Sequence, residues 1–166
     1  MFFRASLAIF FFLIAIIVAV LQQSADVLFG AHTVNLLAVL ALATSIIFHY
    51  PSALLLAVLG GVLLDHLSFT RGLWSIPLLI ALIITNMLFL RFFTNRSLWT
   101  LLLLGNTGTV IIFSLQMVFV RSFSFFLAHL GIQLIAHTAL FICFFVIARS
   151  LTARLKPYLL LRSRTH

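Results

Sequence analysis

Residues 51–72 read PSALLLAVLGGVLLDHLSFTRG, an apolar run that carries a stripe of small residues and ends near an acid. Ala53, Ala57, Gly61 and Asp65 recur at every fourth position, so they share one face of a helix. Small residues let a neighbouring backbone approach closely, and a carboxylate at the edge of a hydrocarbon layer needs a partner or water. The pattern predicts that another element packs against this face.

The composition of the whole chain is that of a membrane protein. Of its 166 residues, 64% are apolar and 7% are charged, whereas about a quarter of the residues in a soluble domain are charged. Apolar runs of about 17 or more residues, separated by short breaks, predict an all-α polytopic membrane protein. The net charge of +8 does not indicate a nucleic-acid partner, because the basic residues flank apolar runs.

Six apolar segments are predicted to span the bilayer. Their bounds are Ala5–Leu21, Val34–His49, Ser52–Ser68, Leu73–Phe93, Leu98–Val120 and Phe125–Ala148. A cleaved signal peptide is the alternative for the first, and Gln22–Thr33 is predicted to be a polar loop. Segments two and three meet at a break at Pro51 and are short, so a re-entrant hairpin is the alternative to two spans.

The basic residues orient this arrangement. With six spans and both termini in the cytoplasm, eight basic residues lie on the inner side, whereas Arg71 and Arg121 lie outside. Residues 1–148 are then a single transmembrane helical domain, and 149–166 are a basic cytoplasmic juxtamembrane tail. We expect this tail to lie on anionic lipid and Pro157 to interrupt any helix in it.

Asp65, Ser68 and Arg71 form a candidate polar group at the outer end of segment three, with Gly72 beside it. One hypothesis is that it receives a partner's helix or loop, and the other is that the carboxylate pairs with Arg71 or meets lipid headgroups. Catalysis is disfavoured because general acid–base chemistry needs a second group in reach, and the other carboxylate, Asp26, is on a different loop.

A second polar set lies on segment six. His129, Gln133 and His137 are four residues apart and share one helical face. Two such histidines can bind a metal, but no further ligand is apparent in the sequence. Cys143 reads as a small buried hydrophobe. We therefore expect hydrogen bonding between helices, and neither a metal nor a cofactor.

Segment five carries the pair Gly105 and Thr109, which favours close helix packing. Asn106 and Gln116 lie on the same segment, and either Asn86 or the polar stripe of segment six is the expected partner. An unwound binding site at this point is the alternative, because broken helices mark the binding sites of many transporters.

The region 34–80 resembles the MreD family of bacterial rod-shape-determining proteins. The matching residues are Asn35 and Leu36, Gly60 and Gly61, Leu64 and Asp65, Ser68, and Gly72 with Leu73. His66 and the run from Phe69 to Arg71 depart from the family pattern. The match covers under a third of the chain.

This resemblance implies a non-enzymatic protein of the bacterial inner membrane that acts as a scaffold in cell-wall elongation. It implies MreC as partner and, through that complex, RodA, a class B penicillin-binding protein and MreB. The family is also similar in fold to the substrate-binding subunits of energy-coupling-factor transporters. A substrate-binding subunit of a vitamin-type transporter is therefore the alternative, and an enzyme acting on lipid-linked substrates is the least favoured hypothesis.

Overall fold

The computed structural model describes the backbone of residues 2–29, 35–47, 50–69, 72–120 and 123–163. Side chains are described within 9–10, 12–24, 35–47, 50–69, 72–118 and 130–150. These parts of the chain form six α-helices: α1 (Phe2–Phe29), α2 (Leu36–Ile47), α3 (Tyr50–Leu67), α4 (Ser75–Phe92), α5 (Leu98–Val120) and α6 (Phe123–Ser163). The predicted all-helical class is thereby confirmed.

Within the described residues, four helices contain windows that are long and apolar enough to cross a membrane. These windows are Tyr50–Leu67, Ser75–Phe92, Leu98–Val118 and Leu130–Ser150. Large apolar side chains on their outer faces are exposed, as a lipid-facing surface requires, including Val62, Met87, Leu103 and Ile135. The membrane character predicted from the composition is confirmed, whereas the count of six spans and the cytoplasmic termini remain predictions.

The shortest helix, α2, lies at the centre of the bundle. It packs against each of the five other helices, and nine of its 12 residues are buried. A helix of this length rises about 18 Å at 1.5 Å per residue, well short of the roughly 30 Å hydrocarbon layer. Its two ends therefore cannot both reach water at the membrane surfaces, so the backbone groups of at least one end need partners within the protein.

Side chains from three different parts of the chain supply those partners. The Asn35 side chain accepts a hydrogen bond from the backbone N–H three residues later, at 2.9 Å. The Gln22 side chain on α1 accepts one from the backbone N–H of Leu36, at 2.7 Å. At the other end, the Arg96 guanidinium donates to the carbonyl of Ile47 at 2.9 Å. The short helix is thus capped at both ends.

Two predictions about helix ends are wrong. The predicted loop at Gln22–Thr33 is helical as far as Phe29, because Gln22 lies buried against α2 and needs no water. The helix α6 continues through Pro157 to Ser163, so the proline does not end it. A proline removes a single backbone hydrogen bond, which a helix that is established on both sides tolerates.

Glycines set the spacing between several helices. A Cβ on Gly60 would lie 2.5 Å from Leu37 of α2, and one on Gly61 would lie 2.8 Å from the Cα of Ser75 at the start of α4. A Cβ on Gly105 would lie 2.6 Å from the ring of Phe141 on α6. The close packing predicted for the stripe on α3 therefore takes place within this chain.

Candidate functional site at the α3–α4 turn

The Asp65 carboxylate holds the beginning of α4. One of its oxygens accepts a hydrogen bond from the backbone N–H of Trp74 at 2.8 Å. The other accepts from the backbone N–H of Ser75 at 3.1 Å and from the Ser75 hydroxyl at 2.5 Å. Asp65 is 8% exposed. The Asp65 carboxylate is therefore hydrogen-bonded to the beginning of α4, the next helix in the chain.

The location of this carboxylate suits the physics of a helix N-terminus. The first backbone N–H groups of a helix have no partner within the helix, and they carry the positive end of its dipole. Trp74, the residue before α4, has no side-chain hydrogen bond that caps the helix. Asp65 reaches across from α3 to perform this role with a full negative charge.

Further features hold the described residues of the turn on either side of positions 70 and 71. The Ser68 hydroxyl donates to the side-chain oxygen of Gln23 on α1 at 2.7 Å. Gly72 has a φ of 76°, a left-handed conformation that glycine adopts without steric cost. The side-chain amide of Gln116 donates to the carbonyl of Leu73 at 3.3 Å. The turn is therefore bound to α1, α3 and α5 at once.

The small residues predicted to bind a partner are buried within the chain. Ala57, Gly60 and Gly61 are buried, and their faces meet the neighbouring helices. Contact between a partner and these residues remains a prediction. Arg71 lies outside the described residues, as does the side chain of Asp26, so the pairing of Asp65 with Arg71 also remains a prediction.

The α5–α6 contact holds the second polar set. Thr109 donates to the Gly105 carbonyl at 3.0 Å, and its oxygen lies 2.8 Å from Nδ1 of His137. Which of these two atoms donates depends on the tautomer of the His137 ring. The other ring nitrogen, Nε2, is buried and has no hydrogen-bond partner among the residues that the structure describes.

One turn away, Asn106 and Thr138 form a reciprocal pair. The Asn106 amide donates to the Thr138 hydroxyl at 3.0 Å, and the hydroxyl lies 3.1 Å from the Asn106 carbonyl oxygen. The partner of Asn106 is therefore on α6 and is not Asn86. Gln133 is buried on the same helix, and the side chain of His129 lies outside the described residues. Cys143, further along α6, is exposed, so the prediction that it is buried is wrong.

Comparison of the chain with protein-family models, with curated proteins and with solved structures gave no significant match. The function is therefore argued from the residues and their geometry. Among the described side chains, no three of His, Cys, Asp or Glu come close enough to hold a metal ion.

Sequence reasoning missed several of the residues that build these sites. Gln22 and Gln23 were assigned to a loop, and the roles of Ser75 and Thr138 were not foreseen. Ser75 carried a usable signal, because a serine directly before an apolar run is typical of a helix N-terminus. Gln22 and Gln23 carried no comparable signal, because their hydrogen-bond partners, Leu36 and Ser68, are distant in the sequence.

Removal of the Thr109 hydroxyl should destabilise the bundle. Thr109→Val has nearly the same volume but leaves Nδ1 of His137 buried without its hydrogen-bond partner, which costs about 1–3 kcal/mol. The measurement is the free energy of unfolding in lipid nanodiscs. Thr107→Val is the control, because Thr107 bonds only to its own helix, at the Leu103 carbonyl. Equal effects of the two variants would contradict a structural role for the Thr109–His137 pair.

Proposed function

We propose that this chain is a non-enzymatic integral membrane scaffold of the cell-wall elongation complex, related to MreD. In this proposal it regulates cell shape by binding MreC in the bacterial inner membrane. RodA, a class B penicillin-binding protein and MreB join it through that complex. The proposal begins from the resemblance in residues 34–80 and is supported by what those residues do in the fold.

The observation that carries the proposal is that four residues of the resemblance, Gly61, Asp65, Ser68 and Gly72, hold the described parts of the α3–α4 turn. Asp65 caps α4, Ser68 binds α1, and Gly61 lets the start of α4 approach. Gly72 supplies a left-handed backbone conformation. A fixed structure at a membrane boundary suits a surface that a second protein recognises, because little conformational entropy is lost on binding.

The hydrogen bonds of Asp65 also favour a scaffold over an enzyme. A general acid or base must exchange its proton with a substrate at hydrogen-bond distance. Both oxygens of this carboxylate are occupied by the backbone and side chain of the α4 terminus. We therefore assign Asp65 to holding the structure of the outer turn.

Affinity purification in mild detergent tests the proposal. The intact chain should co-purify with MreC, and Asp65→Leu should lose MreC while it still inserts in the membrane. His66→Leu is the control, because His66 is exposed one residue away. Size-exclusion chromatography shows whether each variant remains folded. Failure of the intact chain to retain MreC, or full retention by a folded Asp65→Leu variant, would contradict the proposal.

A substrate-binding subunit of a small-molecule, vitamin-type transporter is the second candidate. The observation that favours it is the buried Nε2 of His137, a ring nitrogen that has no hydrogen-bond partner among the described residues and that a bound molecule could satisfy. Mass spectrometry of the purified chain should then find a retained small molecule that His137→Phe loses. A chain that retains nothing would count against this candidate.

A further inference from the structure

Phe69 is an exposed aromatic residue in a strained backbone conformation. Its side chain is 96% exposed, and its φ is 53°. The left-handed region is unfavourable for bulky residues, whereas glycine adopts it freely. Because the ring touches so little of this chain, the fold gains almost nothing from it. The apolar surface of the ring is therefore free to contact something outside the protein.

The backbone on either side holds Phe69 in place. The N–H of Ser68 bonds to the Leu64 carbonyl at 2.8 Å, and the N–H of Phe69 bonds to the His66 carbonyl at 3.3 Å. The Ser68 hydroxyl binds Gln23 on α1. The ring is therefore presented from a turn whose preceding residue is fixed on two sides.

The position of Phe69 along the chain indicates what it meets. Leu55, Val58 and Val62 share one face of α3 and are exposed, as a lipid-facing surface requires. Leu67, the last residue of the helix, is exposed as well. Phe69 comes two residues later, so a further exposed apolar side chain follows directly after the lipid-facing helix.

The lengths of the two helices place this turn at the membrane boundary. The helices α3 and α4 have 18 residues each, and each therefore rises about 27 Å. A typical hydrocarbon layer is about 30 Å thick. Helices this short cannot lift their connecting turn far above the acyl chains, and residues that flank a short span are drawn into the interface.

We propose that Phe69 is a lipid anchor, whose ring inserts between the headgroups and acyl chains of the phospholipid leaflet next to the α3–α4 turn. Aromatic rings suit this layer, where an apolar surface can be buried close to water. The anchor fixes the depth of the turn, and with it the height at which the Asp65 cap lies in the membrane.

Site-directed fluorescence in nanodiscs made only of phosphatidylcholine and phosphatidylglycerol tests this proposal. Phe69→Cys in a Cys143→Ala background gives one site for an environment-sensitive dye. Thr94→Cys is the matched control, because Thr94 is exposed and also follows its helix by two residues. The dye at 69 should emit at shorter wavelength than the dye at 94. Nitroxide-labelled lipids should quench it strongly, and aqueous iodide should quench it weakly.

Two outcomes of the dye experiment would overturn the proposal. One is water-like emission and strong iodide quenching at position 69 in the lipid nanodiscs. The other is a blue shift of the dye at position 69 that appears only when membrane proteins are added, since this position would then contact a protein and not lipid. A second comparison uses no dye: in the same nanodiscs, Phe69→Trp should keep the unfolding temperature of the intact chain. Phe69→Gly should lower it, although glycine relieves the backbone strain, and an unchanged or raised temperature would also overturn the proposal.

Discussion

Asp65→Leu should lower the free energy of unfolding by about 2–6 kcal/mol, at 1–3 kcal/mol for each of the two backbone N–H groups that lose their acceptor. These are the N–H groups of Trp74 and Ser75 at the beginning of α4. A leucine side chain accepts no hydrogen bond, and little water reaches a residue that is 8% exposed. The favourable interaction between the carboxylate and the helix dipole is lost as well.

Two companion variants separate the possible causes of this effect. Asp65→Asn keeps one acceptor oxygen without the charge, so its loss should be intermediate. His66→Leu makes the same new side chain at the neighbouring exposed position and should change stability by less than about 0.5 kcal/mol. Thermal unfolding in nanodiscs measures all three. If Asp65→Leu were as stable as the intact chain, the carboxylate would not be the cap of α4.

Gly61→Leu should destabilise the α3–α4 contact by about 3 kcal/mol, at the upper end of the range for overpacking. Even the first carbon of a side chain at this position would lie 2.8 Å from the Cα of Ser75. The obstacle is backbone, which cannot turn away as a flexible side chain does. The two helices must separate, and the distance from Asp65 to the α4 terminus must then grow.

Gly131→Leu is the matched control for this prediction. A Cβ on Gly131 has no neighbour within 4 Å, so leucine should be tolerated and should raise helix propensity by about 0.8–1 kcal/mol. The readout is again unfolding in nanodiscs. Similar losses at positions 61 and 131 would mean that the cost comes from the glycine backbone and not from helix packing.

The sequence was sufficient to predict features that depend on local composition. The helix Leu98–Val120 was predicted with the bounds that the structure shows, because a long apolar run defines both of its ends. The close packing of Gly61 followed from the four-residue spacing of small residues. The sequence did not predict that the start of α4 packs against Gly61. A spacing pattern does not distinguish a separate partner protein from a neighbouring helix of the same chain.

The features that the sequence did not reveal depend on distant contacts. Gln22 was placed in a loop because a polar residue after an apolar run usually meets water. Its partner is Leu36 on another helix, and nothing in the local sequence indicates this bond. Asp65 was recognised as a residue in need of a partner, but its hydrogen bonds to α4 depend on how the turn folds back.

The hydrogen bonds that cap α2 have a consequence for how the chain inserts into the membrane during its synthesis. A ribosome delivers Gln22 before α2 and Arg96 well after it, so the carbonyl end of this short helix has no guanidinium until α4 and the following connection have emerged. Until then α2 is poorly suited to lipid, because its rise of about 18 Å is less than the thickness of the hydrocarbon layer and the Ile47 carbonyl lacks its donor. Its stable insertion should therefore wait for the second half of the nascent chain, and crosslinking of arrested translation intermediates to lipid or to the translocon would reveal that delay.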